Sequence, residues 1–159
     1  TRLQKLDRGD YDALVLASSG LARLDLGKRI TQQLDRKIML PAIGQGALGI
    51  ETRVDDRVSR DIIAALNDEN TSTCVSAERG VNRRLNGGCH APIGAYAVCD
   101  RESITITALV GRLDGTGVIQ SELTGPVARA EALGEQLGQT LLDKGAGDIL
   151  DQLRLEGSL

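Results

Sequence analysis

Apolar residues follow more than one spacing along this chain, and each spacing predicts a different kind of element. Near the start, residues 13–17 form a short continuous apolar run between polar turns. Such a run predicts a strand buried on both faces, as in a parallel sheet. Residues 2–6 predict the end of a helix before it, and residues 21–24 predict a helical turn after it. A strand, a loop and a helix in this order form the place where open α/β sheets bind ligands.

The middle of the chain predicts a helix followed by a domain boundary. We expect the helix to begin with Asp55 or Asp56 as its N-cap and to end near Leu66. Its inner face is predicted from helical spacing and comprises Val58, Ile62 and Ala65 or Leu66. The polar stretch that follows, residues 66–70, is typical of a boundary between domains.

The second half of the chain predicts an α+β module. A helix is expected over residues 71–85, ended by the C-cap sequence at 86–88. Its apolar stripe comprises Cys74, Ala77, Val81 and Leu85. Residues 104–110 then alternate with period two, and 118–123 are expected to return as a partner strand after a turn at 114–115.

A long helix after Pro126 and a short one over 148–153 complete this module. The inward residues of the long helix are predicted to be Ala130, Leu133, Leu137 and Leu141. Gly134 and Gly138 leave room for another element to approach this helix closely, and Gly145 and Gly147 are expected to break it.

Composition narrows the class of protein. The chain is 41% hydrophobic and 26% charged but only 1% aromatic, with a net charge of −3. These values are typical of a globular protein and argue against a nucleic-acid partner, which would require basic and aromatic surfaces. No apolar run approaches the ~20 residues of a membrane span, and no signal segment is evident. Three cysteines at wide spacing do not form a disulfide framework, so we expect a cytoplasmic protein.

The glycine-rich segment in the middle of the chain can be compared with one common ligand-binding motif. Residues 37–43, interrupted by Pro41, and residues 47–52 predict extended structure on either side of it. Gly44 to Gly49 match the dinucleotide fingerprint G-x-G-x-x-G, but the true motif opens a helix and none is predicted directly after it. We interpret the segment as a tightly packed crossing, or hinge, between lobes.

Cys89 lies in a loop with two glycines before it and a proline after it, residues 86–94 (NGGCHAPIG). The residues alone leave two readings open: a small buried side chain, or a reactive thiol with little steric cover. A protease-type pair with His90 is a poor fit, because the two are neighbours in sequence. Metal binding is not expected, because Cys74, Cys89, Cys99 and His90 lack any ligand spacing. Cys74 is predicted to be a core residue and Cys99 a structural one.

Arginines are the remaining candidates for ligand binding, since a guanidinium holds carboxylates in a bidentate manner. Arg23 is the strongest of them, because it follows the predicted strand–loop step.

Several stretches together resemble the porphobilinogen deaminase family, in the family's order and over nearly the whole chain. Residues 86–94 resemble its cofactor loop, and residues 40–51 (LPAIGQGALGIE) resemble its interdomain segment. Residues 11–24 (YDALVLASSGLARL) and 77–85 (AERGVNRRL) are also similar.

The resemblance implies a transferase that joins porphobilinogen molecules into hydroxymethylbilane with release of ammonia, in tetrapyrrole biosynthesis. It implies a dipyrromethane cofactor attached through a thioether to Cys89, with Arg2 and Gly46 also binding the cofactor. The residues expected to bind the substrate and the growing polypyrrole chain are Arg2, Arg23, Leu16, Ala17, Ser19, Gly20 and Gln45.

The resemblance also implies a fold. It is a fragment of a periplasmic-binding-protein-like parallel α/β unit, followed by a small α+β domain with an antiparallel sheet and helices. Residues 1–40 would belong to the second domain, 41–68 to a hinge plus a strand and helix returning to the first, and 69–159 to the cofactor-carrying third.

The family's catalytic Asp lies in an N-terminal half to which nothing here aligns. The resemblance therefore implies no catalytic residue in this chain, an N-terminal half as its partner, and no activity without it. It also implies a protein that is monomeric when complete. The alternative function is a non-catalytic lobe that binds a carboxylate ligand.

Overall fold

The computed structural model describes residues 2–88 and 90–155. Two compact units divide the chain, one extending to Asp35 and the other beginning at Arg36. The helices are α1 (Arg2–Asp7), α2 (Ser18–Arg23), α3 (Arg57–Ala64), α4 (Glu69–Leu85), α5 (Ala130–Leu141) and α6 (Gly147–Leu155). The strands are β1 (Ile93–Asp100), β2 (Ser103–Gly111) and β3 (Val118–Pro126). Short 3-10 turns occur at Gly27–Arg29 and Val127–Arg129, and a π-helical turn at Leu142–Ala146.

The N-terminal unit contains α1 and α2, which confirms the helix end and the helical turn expected there. The predicted strand over 13–17 is wrong: these residues form no β-ladder with any described residue, and Val15 is exposed. A parallel strand exists only through hydrogen bonds to neighbouring strands, and no described residue supplies them here. An ion pair between Arg29 and Asp7 ties the end of this unit to α1.

The second unit is built on an antiparallel sheet with the order β1-β2-β3. The register pairs Ala97 with Ile106 and Ile106 with Leu123, so alternate residues face the same side. The inner face of β2 is fully buried and consists of Ile104, Ile106, Ala108 and Val110. The period-two prediction and the returning strand are thereby confirmed, together with an α+β fold class.

Helices α4 and α5 pack on each other and cover one face of the sheet. The inward residues predicted for α5 are all buried, and so are Ala77, Val81 and Leu85 of α4. A Cβ at Gly134 would overlap the carbonyl oxygen of Ala77, and one at Gly138 would lie 2.7 Å from Cβ of Arg84. The two glycines therefore permit the close helix contact, as the sequence predicted.

Gly145 adopts a φ of +95° inside the turn that separates α5 from α6. The left-handed region suits glycine, which explains the break predicted at this position. None of the described helices is long and apolar enough to cross a membrane.

The residues between Gly46 and α4 have no core of their own. Asp56 caps α3 by accepting from the amide of Ser59 at 3.0 Å, so the predicted start of this helix is confirmed. Its predicted inner face is not buried: Val58, Ile62 and Leu66 are 72%, 70% and 70% exposed. The extended segments 37–43 and 47–52 form no strand; Ala42 makes one isolated bridge to Gly94. Most side chains of α3 and all those of residues 47–52 are exposed, and no described strand extends the bridge at Ala42 into a ladder.

Candidate functional site: the glycine crossing and the cysteine loop

Residues 44–49 are called the glycine crossing here. The segment that leads into this crossing lies along the free edge of β1. The amide of Ala95 donates to the carbonyl of Pro41 at 3.2 Å, one step from the bridge at Ala42. The guanidinium of Arg36 lies 4.5 Å from the ring centre of Tyr96, a cation–π distance. An edge strand leaves alternate N–H groups unpaired, and this segment satisfies one of them.

Glu78 binds the next unpaired N–H group of β1 and also binds the glycine crossing. Its carboxylate accepts from the amide of Ala97 at 3.0 Å and from the amide of Gly44 at 2.7 Å. The side chain is 5% exposed, and no other charged residue is buried in the described chain. One carboxylate thus joins α4, β1 and the crossing.

Burial raises the pKa of Glu78 above its ordinary value of 4.5, while the amides of Gly44 and Ala97 oppose that change by stabilising the charged form. The sequence interpretation missed this residue. A signal was present, since Glu78 lies four residues after Cys74 and three before Val81, on the inner side of the helix.

The glycine crossing itself is a pair of tight turns. Gly44 and Gly46 have φ values of +68° and +90°, and the amide of Ala47 donates to the carbonyl of Gly44 at 3.1 Å. Gln45 and Gly46, both expected at the cofactor or substrate, are exposed here. No helix follows before Arg57, so the segment lacks the helix N-terminus that a dinucleotide site requires.

The cysteine loop begins at the end of α4. Cys89 lies outside the described residues, but residues before and after it in the chain form hydrogen bonds. Asn86 ends α4 with a left-handed φ of +49°, and its carbonyl accepts from Arg154 at 3.1 Å. The side chain of Asn82 donates to the carbonyl of Gly87 at 3.2 Å, and the amide of Ala91 donates to the carbonyl of Gly88 at 3.1 Å.

The remaining predicted binding residues lie around α2 in the N-terminal unit. Four of them are only half exposed and flank the start of the helix: Leu16, Ala17, Ser19 and Gly20. Arg23 is the last residue of α2 and Arg2 the first of α1. Both arginines are exposed, and neither forms an ion pair with any residue in 2–88 or 90–155.

Other arginines are already engaged. Arg8 pairs with Asp10 at 2.9 Å, and Arg83 of α4 pairs with Glu131 and with Glu135 of α5. A free guanidinium can bind a carboxylate ligand without first giving up a partner. The geometry therefore distinguishes Arg2 and Arg23 from these neighbours.

The other two cysteines pack beside the core rather than in it. Cys74 and Cys99 are partly buried, and their sulfur atoms lie 3.4 Å apart. Among the described residues, no three side chains of the metal-binding types form a cluster.

These features define a mixed helix-and-sheet protein in which a glycine crossing is fixed to a module that presents a cysteine loop. Residues 72–143 match the family model described as "Porphobilinogen deaminase, C-terminal domain". Residues 1–61 match "Porphobilinogen deaminase, dipyromethane cofactor binding domain". The chain is also 48% identical, over 97% of its length, to the porphobilinogen deaminase of Chlorobium phaeovibrioides (strain DSM 265 / 1930).

The chain belongs to the porphobilinogen deaminase family, whose cofactor is dipyrromethane. It spans 50% of the length of that relative.

Proposed function

We propose that this chain is the cofactor-carrying part of a transferase that joins four porphobilinogen molecules head to tail into hydroxymethylbilane and releases ammonia. The observation that carries the proposal is the family match over both parts of the chain, at 48% identity to a porphobilinogen deaminase. The described residues fit such a ligand, because its pyrroles carry acetate and propionate groups and two arginines of this chain are free to bind carboxylates.

Cys89 is the proposed attachment point of the dipyrromethane, through a thioether. Bound there, the cofactor would supply a terminal pyrrole carbon as nucleophile. The role of the protein loop is to hold the tether in place. Asn82, Asn86 and Arg154 fix the end of α4, and Glu78 fixes the glycine crossing to the same helix. Gln45 and Gly46 would then face the cofactor from a crossing whose position is set by Glu78.

The test of this assignment is the intact mass of the complete protein made in cells. We expect a mass increase of two linked pyrrole units, mapped to the peptide that contains Cys89. Cys89→Ser should abolish the increase, whereas Cys99→Ser serves as the matched control and should keep it. An active protein with an unmodified Cys89 would contradict the assignment.

Arg2 and Arg23 are proposed to bind substrate carboxylates, together with Leu16, Ala17, Ser19 and Gly20. Loss of one charge-assisted hydrogen-bonding group costs about 1.5–3 kcal/mol, so Arg23→Leu should lower kcat/KM roughly 10- to 100-fold in the complete enzyme. Arg8→Leu is the control, because Arg8 is exposed in the same unit but already paired with Asp10. Equal activity of the two variants would remove Arg23 from the site.

The chain alone is proposed to be inactive, since the family's acid–base residue belongs to an N-terminal half that this sequence does not match. The exposed stripe of Val58, Ile62 and Leu66 is the surface proposed to pack against that half. Product formation should appear only when the two halves are joined or mixed. If the chain instead binds a dicarboxylate equally well with Cys89→Ser and never supports turnover, the alternative of a non-catalytic binding lobe is favoured.

A further inference from the structure

Two thiols meet where α4 packs on β1. The sulfur of Cys74, in the second turn of α4, lies 3.4 Å from the sulfur of Cys99, next to the last residue of β1. Both cysteines are free and neither is fully buried. A disulfide bond is about 2.05 Å long, so closing this gap requires a shift of little more than an ångström.

We propose that Cys74 and Cys99 form a reversible oxidation site, at which a small-molecule disulfide converts the two thiols into a covalent link between α4 and β1. This inference does not depend on the proposed function, since neither cysteine belongs to the cofactor loop or the predicted binding residues.

The chemistry needs only an oxidant of the glutathione disulfide class. One protein thiolate attacks the small disulfide, forms a mixed disulfide and releases one small thiol. The second protein thiol then loses its proton and attacks the first protein sulfur, which releases a second small thiol. Two S–H bonds are lost and one protein S–S bond forms, while the small disulfide is reduced to two thiols.

The position of the pair favours the second, intramolecular step. Because the sulfurs are already in contact, a mixed disulfide on either cysteine has its resolving thiol at hand. Burial, together with the hydrogen bond to Cys99, raises the pKa of Cys74 to about 11. A thiol of high pKa is a poor leaving group, so reduction that releases Cys74 should be slow.

The disulfide would form next to Glu78, the residue that binds both β1 and the glycine crossing. Cys74 lies one helical turn before Glu78, and Cys99 lies two residues after Ala97. The amide of Ala97 donates a hydrogen bond to Glu78. Oxidation would therefore fasten α4 to β1 beside the carboxylate that fixes Gly44.

The test is to equilibrate the full chain with graded ratios of oxidised to reduced glutathione, alkylate the remaining thiols and map the cysteines by mass spectrometry. We expect one cross-linked peptide pair, Cys74 with Cys99, which excess dithiothreitol separates. Cys99→Ser should give no cross-link to Cys74. The proposal is overturned if, with glutathione disulfide in large excess, Cys74 and Cys99 are both alkylated or each carries its own glutathione.

A second measurement does not rely on any variant that might misfold. The link closes a loop over a sequence separation of 25 residues, and should raise the unfolding temperature of the chain by roughly 10 °C relative to the reduced form. An unchanged or lower unfolding temperature in a chain shown to be cross-linked would mean that the bond strains the native contact, and would contradict the fit inferred from the 3.4 Å separation.

Discussion

Residues 69–155 and residues 2–66 have similar shares of apolar side chains, yet only the first region buries them. In the former, α4, α5 and α6 and the sheet bury a common set that includes Val81, Ile106 and Leu137. In the latter, α1, α2 and α3 contain no buried residue. Apolar residues follow a helical spacing in both α3 and α5, so spacing alone does not decide burial.

The difference in burial between the two regions shows what an amphipathic pattern predicts. It predicts the side of an element that needs a partner, and it does not say whether the partner lies in the same chain. For α5 the partner is α4 and the sheet; for α3 no described residue provides one. This is why the exposed stripe supports the proposal that the family's other half covers it.

The largest effect should follow from forcing α4 and α5 apart. Gly134→Leu places a side chain where the carbonyl of Ala77 already lies, and we expect a loss of about 4 kcal/mol or more in the free energy of unfolding. Gly49→Ala, at a glycine with open space around it, should change stability by less than about 0.5 kcal/mol. Urea unfolding of both variants measures this, and comparable losses would mean that the two regions share one core.

Sequence reasoning succeeded where the partners of an element are close in sequence and apolar. The alternation in β2, the stripe of α5 and the close-approach role of Gly134 and Gly138 follow from local spacing, and all are confirmed. The strand over 13–17 failed because strand pairing depends on backbone supplied from elsewhere, which local sequence does not record.

The candidate site was less predictable for a physical reason. Glu78 breaks the apolar pattern of its own helix, and its partner Gly44 lies 34 residues away. A buried carboxylate becomes understandable only when the donors that satisfy it are in view. The contact between Cys74 and Cys99 likewise joins a helix to a strand, which spacing along the chain did not indicate.

A matched pair of isoleucines tests the comparison directly. Ile106→Ala removes a fully buried side chain and should cost about 3 kcal/mol, whereas Ile62→Ala removes one that is 70% exposed and should cost less than about 0.5 kcal/mol in this chain. In the complete protein the cost of Ile62→Ala should rise, because the family's other half is proposed to cover the stripe. A small cost in both contexts would show that α3 has no packing partner in either.

Glu78→Gln should have an intermediate effect. Glutamine accepts through one oxygen only, so either Gly44 or Ala97 loses its acceptor, at a cost of about 2 kcal/mol. The exposed Glu69 on the same helix provides the control, Glu69→Gln, which should cost less than about 0.5 kcal/mol.

The pH dependence of the stability that Glu78 contributes provides a further test of its role. Its folded-state pKa is raised, so the folded state binds more protons than the unfolded state as pH rises above 4.5. The stability that Glu78 contributes is therefore full below pH 4.5 and is lost as pH rises through the folded pKa. Urea unfolding across this range should show the gap between wild type and Glu78→Gln narrowing with pH; a widening gap would contradict the raised pKa.

The smallest effects should come from two helix caps, one on α3 and one on α4. Asp56 and Asp68 each accept from the amide three residues on, at 3.0 Å and 2.7 Å. The pKa of Asp68 is lowered by hydrogen bonds from the side chain and the amide of Thr71, and that of Asp56 by hydrogen bonds from the amide and the side chain of Ser59. A lowered folded-state pKa means that each cap stabilises its helix above pH 3.8 and loses this effect as pH falls through the folded value.

The consequence of losing a cap should differ between the regions. Asp68→Ala should lower amide-exchange protection throughout residues 69–155, because α4 packs on both α5 and the sheet and its end cannot loosen alone. Asp56→Ala should lower protection only within α3, which buries no residue. Exchange measured residue by residue separates these outcomes. A global loss from Asp56→Ala would mean that α3 stabilises the core of the second unit, and the contrast between the two regions would then be wrong.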